Sequence, residues 1–142
     1  MSQINTVLYV EDSDLDMEKV TRIFRKLEIK SELVRARDGV EALEIMRGKG
    51  DNPALPKPYV VLLDLNMPRM GGLELLGELR KDADLQPTPV FVLTTSDHRD
   101  DVEAAYTHNV CGYFVKTADR KTFVDTVDSL RNFWESCLYP ER

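Results

Sequence analysis

Short apolar runs of strand length recur along the chain, and each is followed by a stretch with apolar residues at helical spacing. The first run is Val7-Leu8-Tyr9-Val10. Met17, Val20, Phe24 and Leu27 follow at intervals of three and four, which predicts an amphipathic helix. Glu32-Leu33-Val34-Arg35-Ala36 alternates, the pattern of a strand with one polar face at a sheet edge. Residues 39–47 read as a second helix, with Val40, Leu43 and Met46 on one side. Tyr59-Val60-Val61-Leu62-Leu63 is apolar without alternation, as expected of a strand covered on both faces. Leu73, Leu76 and Leu79 mark a third helix, and Pro87 and Pro89 punctuate the chain before Val90-Phe91-Val92-Leu93, another buried run. A more polar helix is predicted over about 99–108, a short fifth strand at Tyr113-Phe114-Val115, and a final helix from about Arg120 to Cys137.

Five strands alternating with five helices predict an α/β fold, a doubly wound parallel sheet with helices on both faces. The common strand order 2-1-3-4-5 makes the expected arrangement flavodoxin-like. One domain spans 1–142, the region from about 120 to 142 forming a long final helix and a short tail. Gly48 to Pro58, a Gly- and Pro-rich segment longer than such connections usually are, reads as a tolerated surface insertion.

Composition narrows the classes. Charged residues make up 31% and hydrophobic ones 42% of 142 residues, which suits one globular domain with a single core. A net charge of −6 argues against non-specific nucleic-acid binding, since nothing would neutralise phosphates. No apolar run approaches the roughly 20 residues of a membrane helix, and the start of the chain lacks the features of a signal peptide. Cys111 and Cys137 are too few and too far apart in sequence for a disulfide framework or a C-x-x-C site, and read as reduced thiols in the cytoplasm. His98 and His108, in the polar fourth helix, have no ligand spacing to anything and read as surface residues.

In open parallel sheets, ligands bind beyond the carboxyl ends of the strands. Glu11 and Asp12 follow the first run, Asp64 the third, Thr94 and Thr95 the fourth, and Lys116 closes the fifth. Three carboxylates, a hydroxyl and an ammonium are thus expected on one rim. Crowded carboxylates disfavour one another's ionisation, and a divalent cation removes that cost. Oxygen ligands without His or Cys point to Mg²⁺. A carboxylate beside such a cation can attack a phosphoryl group, with Lys116 stabilising charge on the equatorial oxygens and Thr94 donating a hydrogen bond. Ser13 and Asp14 are expected to cap the first helix.

These residues, taken in order, resemble the receiver domain of two-component response regulators over nearly the whole chain. Glu11-Asp12 resembles the family's acidic pair, and Asp64-Leu65-Asn66-Met67-Pro68 with Gly71-Gly72-Leu73 its phospho-acceptor loop. Asp38-Gly39-Val40-Glu41-Ala42-Leu43 is similar to the start of the family's second helix, and Leu93-Thr94-Thr95-Ser96 to its switch segment. Tyr113 stands three residues before Lys116, as the family's aromatic switch residue does. The resemblance implies that Asp64 accepts phosphate from a sensor histidine kinase. It also implies that Asp12 and Asp64 bind Mg²⁺, with Glu11 acting through water and Asn66 lending its main-chain carbonyl. The protein would then catalyse only its own phosphorylation and dephosphorylation, and its partners would read the outcome. The Gly/Pro-rich insertion and long final helix resemble the single-domain regulators of bacterial phytochrome kinases. A chain ending soon after the final helix leaves output to protein contacts, or to a role as phosphate relay or sink.

One departure bears on the site. The family has Pro after the lysine, behind a cis peptide bond that aims it; here the residue is Thr117. A cis bond before a non-proline residue costs about 2.5–4 kcal/mol, so either strain is stored there or the bond is trans and Lys116 is aimed differently. Two other classes share parts of the pattern. An aspartate-nucleophile phosphatase of the haloacid dehalogenase type carries its nucleophile after the first strand, not the third. A flavin carrier needs a hydroxyl- and Gly-rich phosphate loop where Glu11-Asp12 stands. In the final helix, Phe123, Val127, Leu130, Trp134 and Cys137 form one apolar stripe, with Trp134 near its margin. Val124, Phe133, Leu138 and Tyr139 lie largely outside it, which predicts a homodimer through that helix.

Overall fold

The computed structural model describes residues 4–52 and 54–139; the chain extremes, and Pro53 of the long loop, lie outside the described residues. Strands β1 (Thr6–Val10), β2 (Glu32–Ala36), β3 (Tyr59–Leu63), β4 (Val90–Thr94) and β5 (Gly112–Val115) alternate with five helices. The helices are α1 (Asp14–Lys26), α2 (Gly39–Arg47), α3 (Gly72–Lys81), α4 (Arg99–Thr107) and α5 (Arg120–Ser136). All neighbouring strands pair in parallel, in the order β2-β1-β3-β4-β5, the flavodoxin-like arrangement expected from the sequence.

Strand side chains alternate between two cores because successive Cβ atoms point to opposite faces. Val7, Tyr9, Val60, Leu62, Phe91 and Leu93 face α1 and α5, packing on Val20, Phe24, Phe123, Val127, Leu130 and Trp134. Leu8, Val10, Val61, Leu63 and Val92 face the other way, onto Ala42 and Leu43 of α2, Leu75, Leu76 and Leu79 of α3, and Ala105 of α4. Three of the five helix starts, those of α1, α2 and α5, are capped by short polar side chains, each accepting an orphan amide. Ser13 accepts from the Asp16 amide, Asp38 from Glu41 and Asp119 from Thr122. Gly48, in left-handed conformation at φ 64°, ends α2 where a Cβ would be strained.

Three local readings change. His98 and His108 bound α4 as its N-cap and C-cap residues; neither lies inside it. Trp134 sits at the centre of the α5 stripe, fully buried, 6.1 Å from Phe24 and 6.4 Å from Phe91 between ring centroids. Cys137 is the half-buried C-cap of α5, and the tail turns back so that the Tyr139 hydroxyl donates to the Trp134 carbonyl at 2.5 Å.

Candidate functional site

The register of the sheet assembles the rim. Val10 pairs with Leu63 across β1 and β3, so the next residues, Glu11 and Asp64, emerge side by side, and the Asp64 amide donates to the Val10 carbonyl at 3.1 Å. Thr94 pairs with Val115, and the Lys116 amide donates to the Thr94 carbonyl at 2.7 Å, which puts Lys116 beside the same rim. Gly72 opens α3 close against the end of β3: a Cβ there would meet the Asp64 carbonyl oxygen at 2.6 Å.

Asp64 is 6% exposed, at the end of the central strand. Its Oδ1 accepts from the Thr94 hydroxyl at 2.8 Å and from the Asn66 amide at 3.3 Å. Its Oδ2 accepts from Lys116 Nζ at 3.2 Å. Glu11 is fully buried, Asp12 is exposed, and carboxylate oxygens of Glu11, Asp12 and Asp64 lie within 4.8 Å of one another. An all-oxygen donor set of this density fits a hard divalent cation.

Lys116 carries most of the local compensation. Its side chain is 7% exposed, and its ammonium donates to Glu11, to Asp16 at 2.8 Å and to Asp64. Burial alone would draw this ammonium down, but the hydrogen bonds to Asp16 and Glu11 hold it well above the ordinary lysine value. Burial pushes the Glu11 carboxyl above the usual carboxylate range, opposed by the Lys116 hydrogen bond and reinforced by the Asp64 charge. Four carboxylates (Glu11, Asp12, Asp16, Asp64) against one ammonium leave a formal surplus of three negative charges. The Lys116–Thr117 peptide is trans, the cis bond among the described residues being Lys57–Pro58, and Lys116 nonetheless reaches the acidic cluster.

Tyr113, half-buried, donates its hydroxyl to the Ser96 carbonyl at 2.8 Å. It therefore abuts the loop that follows Thr94. Asn66 is exposed, and its main-chain amide donates to Asp64.

Three contributors, Tyr9, Asp16 and Arg35, escaped the sequence reading, and Ser96, known only as part of the switch segment, gains a structural part. Tyr9, read as a core residue, donates its buried hydroxyl to Glu11 Oε1 at 2.9 Å. Asp16 binds Lys116 from the first turn of α1. Arg35, on edge strand β2, donates to the main-chain carbonyls of Glu11 and Asp12, both at 3.0 Å, and bridges to Asp14 at 2.6 Å. Ser96 donates to Asp101 at 2.5 Å and accepts from the His98 amide at 3.3 Å, tying the β4–α4 loop. Of the three that escaped, only Arg35 carried a signal, as the one basic residue in an otherwise apolar-and-acidic strand.

A parallel doubly wound sheet in this strand order, with a central-strand aspartate, a threonine and a lysine gathered on its acidic rim, is the architecture of a receiver domain. The sequence profile of the response regulator receiver domain matches residues 7–128, and the chain belongs to that family. It is 38% identical over 128 residues to response regulator Rcp1 of Synechocystis sp., covering 90% of this chain and 87% of Rcp1. The crystal structure of the Mn²⁺-bound form of Rcp1 superposes with a TM-score of 0.84 at 34% identity, covering 96% of this chain and 99% of Rcp1. That of the phosphorylated cyanobacterial phytochrome response regulator RcpA superposes with a TM-score of 0.88 at 32% identity, covering 97% and 99%. Among the described residues no helix is long and apolar enough to cross a membrane.

Proposed function

We propose that this receiver takes a phosphoryl group on Asp64 from the phosphohistidine of a sensor histidine kinase, in a Mg²⁺-dependent reaction, and acts in the cytoplasm through partners that read the change. The observation that carries this reading is the setting of Asp64, a buried carboxylate within hydrogen-bond reach of both Thr94 and Lys116. An Asp64 oxygen forms the new P–O bond as the P–N bond to the imidazole breaks, the electron pair leaving on the ring nitrogen. Lys116 and Thr94 donate to Asp64, which supports the reading that they would donate to the transferred group. Asp12 and Asp64 would hold the cation, with Glu11 through water and Asn66 through its carbonyl. Its chemistry there is charge neutralisation among the carboxylates and phosphoryl oxygens. Tyr113 would carry a displacement of the Thr94 loop to the β5 surface through its hydrogen bond to Ser96. The reaction would go no further than the protein's own phosphorylation and dephosphorylation, so the protein serves as a switch, or equally as a phosphate relay or sink.

Likeness to the phytochrome response regulator RcpA supports a phytochrome-type kinase as the phosphoryl source. Exposure of Phe133 (47%) and Leu138 (82%) supports a second copy of this chain as a partner along α5. Incubation with acetyl phosphate and Mg²⁺ tests the central claim: the wild type is labelled and Asp64→Asn is not. Full labelling of the variant would remove Asp64 from the reaction.

A further inference from the structure

We infer that Asp16 is the positioning residue that keeps the Lys116 ammonium aimed at the phosphoryl-accepting carboxylate once a divalent cation occupies the acidic cluster. The inference rests on the phospho-acceptor reading of Asp64.

An ammonium has three donors and no acceptor. Lys116 directs its donors to Glu11, Asp16 and Asp64. Two of those partners, Glu11 and Asp64, belong to the set that can hold a metal ion, and Asp16 does not. A cation held by Asp12 and Asp64, with Glu11 reached through water, would draw both Glu11 and Asp64 away from the lysine and set a positive charge beside the ammonium. Like charges repel, so the same event that prepares Asp64 for attack loosens two of the three bonds holding Lys116. Asp16, at 2.8 Å, is the partner that the cation leaves untouched.

The position of Asp16 suits it to this task. It lies in the first turn of α1, where Ser13 accepts its amide, so its backbone is fixed by the helix cap. Its side chain is 25% exposed while that of Lys116 is 7% exposed, so the contact approaches from the solvent side and closes the lysine in. Lys116 has a further need of such a tether. It is followed by Thr117 through a trans peptide, so no pyrrolidine ring stiffens the main chain behind it.

During transfer from acetyl phosphate, Asp64 forms a P–O bond as the bond from phosphorus to the acetyl oxygen breaks, acetate leaving with the electron pair. Lys116 meets the charge on the phosphoryl oxygens only if its ammonium stays within reach of Asp64. The Asp16 carboxylate bonds Lys116, and its part is to act through the lysine.

The test compares wild type, Asp16→Asn, Asp16→Glu and Asp16→Ser. The first readout is the order of the Lys116 Cε methylene, by ¹³C relaxation, without cation and with saturating Mg²⁺. Without cation, Asp16→Asn is expected to match the wild type, because Glu11 and Asp64 still hold the ammonium. With Mg²⁺ the wild type keeps the ordered signal and Asp16→Asn loses it. The second readout is the initial labelling rate with acetyl phosphate at saturating Mg²⁺, expected to fall about tenfold in Asp16→Asn, the scale of one charge-assisted hydrogen bond. Asp16→Glu is expected to recover most of the rate. Should Asp16→Asn unfold, Asp16→Ser, which suits a helix start, takes its place in both measurements. An ordered Lys116 in the Mg²⁺-loaded asparagine or serine variant, an unchanged labelling rate, or an Asp16→Glu as slow as Asp16→Asn would each overturn the inference. A wild type that takes no label overturns the phospho-acceptor reading instead, and the relaxation measurement with Mg²⁺ alone still decides the tether.

Discussion

At the scale of single residues, the rim is governed by how each charge is compensated. Asp12 is exposed and Glu11 buried, so the two acids of one pair have different duties. Asp12 can meet a cation from solvent, whereas Glu11 is held by Tyr9 and Lys116. Millimolar Mg²⁺ is therefore expected to raise the thermal midpoint of the wild type, by linkage to binding, and to leave Asp12→Ala nearly unmoved. A wild type insensitive to Mg²⁺ would contradict the cation site. Asp38 gives a pH prediction well away from those ligands. Its two oxygens accept from Arg69 at 2.6 and 2.9 Å, and with the Glu41 amide this guanidinium holds the carboxyl below its usual value. A folded pKa below the unfolded one, about 3.9, stabilises the protein above that pH and is lost as pH falls through the folded value. The stability difference between wild type and Arg69→Ala should accordingly be full at neutral pH and vanish in acid. It should also shrink in salt, because the Arg69 side chain is 60% exposed. Urea titrations of both proteins across the acid range measure it.

At the scale of elements, close approach of α3 to β3 is what seats Asp64. The structure contrasts two glycines of the same helix. A Cβ on Gly72 would lie 2.6 Å from the Asp64 carbonyl oxygen and 2.7 Å from Leu65 Cα, both main-chain atoms that cannot swing away. A Cβ on Gly77 meets nothing nearer than the His108 ring at 3.9 Å. Gly72→Ala is expected to cost about 1–3 kcal/mol and to slow labelling of Asp64, because the end of β3 must shift. Gly77→Ala should instead stabilise by about 0.5–1 kcal/mol, as expected for alanine in a helix interior, with labelling unchanged. Chemical denaturation and acetyl phosphate labelling of the pair decide it. The far end of α3 is held by Arg80, which donates to the carbonyls of Gln86, Thr88, His108 and Asn109 and so joins α3 to the turns before β4 and β5. A lysine at that position could not span four carbonyls in one plane.

At the scale of the whole molecule, α5 and the residues that follow it present two apolar surfaces with different fates. Phe123, Val127, Leu130 and Trp134 are buried against the sheet and α1. Tyr139 partly covers the helix end, while Leu138 stays 82% exposed and Phe133 rests edge-on at 5.4 Å from Phe91 with 47% exposed. Replacing Phe133 and Leu138 by Asp is expected to convert a dimer into a folded monomer that still takes phosphate on Asp64. Sedimentation velocity at tens of micromolar measures it, and a wild type that is monomeric with and without phosphorylation would end the proposal.

Local pattern was enough for the order of strands and helices, because burial on one or two faces is written as alternation or as an unbroken apolar run. It was also enough to bring Glu11, Asp12, Asp64, Thr94 and Lys116 to one rim, since they stand at the ends of apolar runs and the ends of parallel strands lie together. Tertiary structure alone decided which side chains reach one another. Asp16 meets Lys116 because α1 lies beside β5's end, one hundred residues away in sequence, and no periodicity encodes that approach. Tyr9 serves Glu11, which leaves the end of β1 two residues on, because the chain there keeps both side chains on one side, yet in the sequence Tyr9 is one more member of a buried run. Trp134 sits at the centre of its stripe because α5 is rotated by packing against Phe24 and Phe91, which spacing along one helix leaves undetermined. The aim of Lys116 belongs to the same class: the sequence shows a missing proline, and the position of the ammonium follows from three carboxylates that only the fold brings around it.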